Sequence, residues 1–164
     1  MRGFTLLELI TTLIIATILT IFANNITRDY LPKQRIIAKR NELVGFLQLA
    51  RAGAIQGKGS LICSQKSQCQ GFDGGGLIAF IDANKNKKHD DGEKVLGRLT
   101  LSNGTTIFRN GWGKQKFLSY DSMGRLHYQN GHFLICNSGY GTTIILNWRG
   151  RVRSGSDPAP NEDC

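Results

Sequence analysis

The sequence predicts an α+β protein: a long amino-terminal helix, membrane-embedded in its first half and amphipathic in its second, packed against an antiparallel β head. Three observations carry this expectation. An apolar run of twenty residues opens the chain, a helical period follows it, and twenty glycines, gathered almost wholly after Arg51, punctuate short β-branched and aromatic runs in the remainder. The 164 residues suffice for one ordinary domain and an appendage. With 40% apolar residues, 20% charged residues and three prolines, wholesale disorder and a collagen-like repeat are excluded. The net charge of +9 is unevenly placed: residues 94 to 153 hold nine Lys and Arg against one acid, Asp121, whereas residues 154 to 164 hold three acids and no base. Such a distribution points to a polyanion partner.

The first element runs from Phe4 to Ala23 and contains one ionisable group, Glu8. At about 1.5 Å per residue it spans roughly 30 Å, enough to cross a bilayer. No A-x-A cleavage pattern follows it, so this is not an ordinary secretory signal. A carboxylate at mid-bilayer costs on the order of 2.5 to 3.5 kcal/mol, which means that Glu8 needs a partner. Arg2 stands alone on one flank while Arg28, Lys33, Arg35, Lys39 and Arg40 crowd the other, so hydropathy leaves the orientation open.

The run Arg2-Gly3-Phe4-Thr5-Leu6-Leu7-Glu8-Leu9 resembles the processing site of type IV pilins and type II secretion pseudopilins. The resemblance implies cleavage by a prepilin peptidase between Gly3 and Phe4, N-methylation of Phe4, and pairing of Glu8 with the amine of a neighbouring subunit's Phe4 during assembly. It also implies a single pass through the inner membrane with a periplasmic head, followed by a place in an extracellular pilus among other pilins. The chain then divides into a leader (1–3), a transmembrane and filament-core helix (4–28), an amphipathic helix continuing into the head (29–56) and the β head itself (57–164).

The amphipathic half follows from Ile36, Leu43, Leu47, Ala50 and Ala54, which share one helical face, with Pro32 expected to kink the helix. Strands are expected at residues 77–81, 95–101, 105–109, 116–120, 125–128, 132–136, 142–148 and 151–153, with hairpins across Asn103-Gly104, Met123-Gly124 and Asn130-Gly131. Phe80 to Asn84, Gly92 to Leu96 and Asn147 to Arg151 are similar to the FimT/GspH group of minor pilins and pseudopilins.

Four cysteines lie beyond the apolar segment, in what the implied topology makes an oxidising compartment. Four cysteines pair in three ways. The pairing favoured is Cys63 with Cys69, closing a short loop, and Cys136 with Cys164, tying the tail to a core strand; paired C-x-x-C spacings for zinc are absent. Asp82, Asn84, Asn86, Asp90 and Glu93 have the spacing of a calcium loop, but Lys87 stands where a glycine is wanted, and an excursion of Asx-turns competes with that reading. Three histidines and no G-x-S-x-G or H-E-x-x-H offer no active site, so neither an enzyme nor a cofactor is expected.

The remaining motif is Trp148-Arg149-Gly150-Arg151-Val152-Arg153. Were it extended, its three arginines would share one face about 6.6 Å apart, a comb suited to phosphates. A solvated edge strand is the competing reading. The G-R-x-R at Gly150, Arg151 and Arg153, extended by Arg149, resembles the DNA-binding motif of FimT-type minor pilins. That resemblance implies DNA binding without sequence preference, for uptake in natural transformation. Lys114 and Lys116, with Arg109 and Arg125, are candidates to widen the patch. A structural pilin or pseudopilin without DNA binding is the alternative.

Overall fold

The computed structural model describes residues 3–25, 30–57, 59–66, 69–72, 75–101, 104–111, 116–155, 157, 159–160 and 164. Helix α1 covers Leu6–Asn25. Its start is fixed by Thr5, whose carbonyl and hydroxyl oxygens accept from the Glu8 N–H at 3.1 and 3.3 Å, the Thr-x-x-Glu arrangement of a helix cap. The side chains described on α1, Leu6 to Phe22, are all exposed. Among the described residues no helix is long and apolar enough to cross a membrane.

Helix α2 covers Leu31–Gly57. Pro32 is its second residue and follows Tyr30, whose backbone is π-helical; the kink expected at Pro32 falls beside residues 26–29, which lie outside the described residues. Ile36, Leu43, Phe46, Leu47, Ala50 and Ala54 form the buried stripe. Among the described residues nine strands follow: β1 Ser60–Ser64, β2 Gly76–Phe80, β3 Val95–Thr100, β4 Thr105–Gly111, β5 Leu118–Tyr120, β6 Gly131–Asn137, β7 Tyr140–Leu146, β8 Val152–Ser154 and β9 Ala159–Pro160. They make two antiparallel sheets, one ordered β3-β2-β1-β5 and the other β4-β6-β7-β8, with β9 also on β7.

The stripe of α2 shares one core with both sheets. Leu43, Leu47 and Ala50 belong to a single cluster with Ile62, Leu77 and Leu99 of the first sheet and Phe133, Ile135 and Ile144 of the second. A smaller cluster, Leu61, Cys63, Cys69, Ile78 and Phe80, covers the opposite face of β1 and β2. Both strands are therefore buried on both faces. Cys63 is bonded to Cys69 and Cys136 to Cys164, the second bridge fastening the carboxy terminus to β6.

The pilin-like plan expected from sequence stands, but several local expectations do not. The hairpin expected across Asn103-Gly104 does not form: Asn103 lies outside the described residues, and β3 and β4 belong to different sheets. Nor does Asn130-Gly131 join a hairpin, because Gly131 pairs with Gly111 of β4 and Leu146 of β7. The hairpin that does form, β6 to β7, turns at Ser138-Gly139, both at positive φ (51° and 79°), as a two-residue hairpin loop demands. The expected strand at 125–128 is reduced to one bridge between Leu126 and Tyr120.

Candidate nucleic-acid interface

The arginine motif is built as a turn. The Gly150 N–H donates to the Asn147 carbonyl at 2.9 Å, and the Asn147 N–H donates to the Arg151 carbonyl at 3.2 Å, with Gly150 at φ +73°. This three-residue loop, with its last residue left-handed, joins β7 to β8. It corrects the extended comb, since Arg149 occupies the turn and only Arg153 lies on β8, with Arg151 leading into it. Arg153 is paired with Ile145, which is paired with His132 and through it with Asn110, so this row faces away from the core. Arg149, Arg151 and Arg153 are all exposed, and among the described residues none of them forms an ion pair.

A second turn braces the first. The Gly124 N–H donates to the Asp121 carbonyl at 2.8 Å, and Asp121 Oδ1 accepts from the Met123 and Arg125 N–H groups, both at 2.8 Å. The Leu126 N–H then donates to the Trp148 carbonyl at 2.9 Å. Arg51 of α2 holds both turns, its Nε donating to the Gly124 carbonyl at 2.9 Å and its terminal nitrogen to the Arg149 carbonyl at 3.0 Å. Sequence reasoning missed Arg51 because its partners lie 73 and 98 residues away and nothing local announces them. The Arg51→Met variant keeps the aliphatic stem but strips the donors from two carbonyls. It is expected to lose about 2 kcal/mol in urea unfolding.

The other basic residues fall elsewhere. Arg109 does not widen the patch: its guanidinium lies 5.3 Å from the Phe72 ring centroid and donates to the Gln129 carbonyl at 2.9 Å, and burial lowers its pKa. Arg125 is spent on Asp121, with Nε 3.1 Å from Oδ2, which also lies 2.9 Å from His127 Nε2. Burial pushes the Asp121 carboxyl up, but the Arg125 N–H and guanidinium, the Met123 N–H and His127 outweigh it and hold the group down at about 2. Lys116 sits just before β5 in the first sheet, with Nζ 3.5 Å from Gln70 Oε1, while Lys114 lies outside the described residues.

The Asp82–Glu93 loop satisfies itself. Asp82 accepts from the N–H groups of Asn86 and Lys87 at 3.1 and 2.9 Å, and Asp90 from the Asn84 and Asn86 amides. Glu93 accepts from the N–H groups of Ala83 and Asp90 at 3.0 and 3.1 Å. Its oxygens serve Asx-type turns, and among the described residues no group of three or more His, Cys, Asp or Glu is arranged to hold a metal ion. Gly3, Phe4 and Glu8 lie at the exposed start of the chain.

Two solved proteins share this fold at low identity. The type IV minor pilin FimU of Pseudomonas aeruginosa, in two crystal forms, is 22% and 19% identical, each with a TM-score of 0.56, covering 73% and 78% of this chain and 92% and 93% of FimU. The minor pseudopilin EpsH of the Vibrio cholerae type 2 secretion system is 16% identical with a TM-score of 0.50, covering 74% of this chain and 96% of EpsH. No curated protein sequence matches. A family model described as type II transport protein GspH matches residues 40–150, which include α2 from Arg40 onward, both sheets up to β7 and the turn that ends at Gly150. With two thirds of its length under that match, the chain belongs to the GspH family of type II transport proteins, and its fold is similar to those of FimU and EpsH.

Proposed function

We propose that this protein is a minor type IV pilin that binds DNA without sequence preference through Arg149, Arg151 and Arg153, for uptake in natural transformation. The observation that carries the reading is the exposed Arg151, which leads into β8, and the exposed Arg153 on β8, beside the exposed Arg149 of the turn, none of them ion-paired among the described residues. Arginine binds phosphate oxygens bidentately, and no helix is offered here to the major groove, so contacts go to the backbone. In this reading Gly150 shapes the turn and Lys116 lies apart from it.

The amino terminus supports assembly of the same kind. Residues Phe4 to Ala23 carry one ionisable group, and the exposed apolar side chains of α1 call for lipid or neighbouring subunits around them. In the proposal a prepilin peptidase removes residues 1–3 and Phe4 is methylated. In this reading the apolar segment that begins at Phe4 holds the chain at the inner membrane, and Glu8 then pairs with an adjacent subunit's amine in the filament.

The test is titration of residues 29–164 with unrelated DNA duplexes across a salt series. Three phosphate contacts predict a log-log slope near about −2.7, moving toward zero by about two contacts in the Arg151→Gln, Arg153→Gln double variant. The family description, a type II transport protein, favours a second reading: a structural subunit at a filament tip. Absence of binding at low salt selects it.

A further inference from the structure

Two of the most exposed large side chains of the head are aromatic and lie on adjoining segments: Tyr128 is 84% exposed and Trp148 is 55% exposed. The Leu126 N–H bond to the Trp148 carbonyl puts the segment that carries Tyr128 alongside the arginine turn. Tyr128 is held at φ +52°, a conformation that a bulky residue rarely adopts, so its ring is displayed from a fixed backbone. The Arg149 guanidinium lies 5.1 Å from the Trp148 ring centroid. A cation stacked on one face of the indole holds the ring while the rest of its surface stays open to solvent. Arg151 and Arg153 then project from the next residues of the chain.

In a duplex the bases are paired and stacked inside, so an aromatic plane reaches a base face only by unstacking a step, at about a few kcal/mol. Against an unpaired strand each plane is a stacking platform open to any base. We infer that the arginine turn takes single-stranded DNA in preference to duplex, with one base stacked on Trp148, a second on Tyr128, and the intervening phosphates on Arg151 and Arg153. The inference rests on the DNA-binding reading above and adds to it the form of the ligand.

The full chain in nonionic detergent, carrying Trp112→Phe so that Trp148 is its only tryptophan, is titrated with a thymidine oligonucleotide and with a blunt duplex of equal length at one salt concentration. Quenching of Trp148 fluorescence by the single strand and an affinity about tenfold above that for duplex are expected. In the otherwise native chain, followed by anisotropy of labelled DNA, Trp148→Ala should erase that preference, lowering single-strand affinity about tenfold and duplex affinity by a much smaller factor. Trp148→Phe, which keeps a flat ring, should retain most of it, and Tyr128→Ala should reduce it by a smaller factor. Equal affinities without quenching, or a Trp148→Ala variant that weakens both forms alike, would overturn the inference and leave the DNA-binding reading intact. No binding to either form would remove both.

Discussion

Gly150→Ala is expected to destabilise the head by about 3 kcal/mol and to weaken DNA binding although every arginine remains. Two costs combine. At φ +73° any side chain strains the backbone, by about 1 kcal/mol or more. The added Cβ would also overlap the Gly124 carbonyl oxygen and lie 3.0 Å from Tyr120 Cε1 and 3.1 Å from Arg51 Nε. Crowding of this kind costs about 1 to 3 kcal/mol. None of those neighbours yields easily, since Tyr120 is 2% exposed and Arg51 holds both turns. Gly139 is the control: it has φ +79° but nothing within 4 Å of its added Cβ, so Gly139→Ala should show the backbone cost alone. The two variants are compared by urea unfolding of residues 29–164. Equal losses would mean that the two turns are not packed as described. The glycine of the G-R-x-R motif thus belongs to the scaffold, and Arg151→Gln with Arg153→Gln should lower affinity without lowering stability.

Replacing both Cys136 and Cys164 by Ala is expected to cost about 3 to 4 kcal/mol. The bridge spans 28 residues, and the chain-entropy account gives this magnitude for a loop of that length. Alanine is the apt replacement because Cys136 is 3% exposed, where a serine hydroxyl would add its own desolvation cost. The bridge and the short pairing of β9 with Tyr140 and Gly141 both tie the tail to the second sheet. With the bridge gone, the tail keeps among the described residues two register pairs and the Arg40–Asp157 ion pair at 3.9 Å, and tail amides should exchange with solvent far faster than those of β6. DNA affinity should change little, because β8 keeps its own pairing with Ile144, Ile145 and Leu146. A double variant within about 1 kcal/mol of wild type in urea unfolding would show that the tail adds little to the fold.

What the sequence determined by itself is whatever depends on neighbours within a turn or two. Thr5 and Glu8 mark the start of α1, the spacing from Ile36 to Ala54 yields the buried stripe of α2, and alternation locates β4, β6 and β7 to within two residues. The placement of basic residues after Lys94 was equally legible. Only the tertiary structure decided which strands meet. An Asn-Gly pair between β3 and β4 favours a hairpin locally, yet their partners are β2 and β6, because each strand buries its apolar face in a different sheet. Strand β1 went unread because Ser60 and Ser64 leave only three apolar residues between them, and only the fold buries both serines. Among the three possible cysteine pairings, proximity in the folded chain selects one. The candidate site divides in the same way. The arginines are visible in the sequence, but their sorting into Arg153 on a strand, Arg151 leading into it, Arg149 on a turn and Arg109 turned inward depends on long-range register. Local propensity acts through the backbone of adjacent residues, whereas pairing and burial depend on groups such as Arg51 and the Arg149 carbonyl, 98 residues apart, which only the folded core brings together.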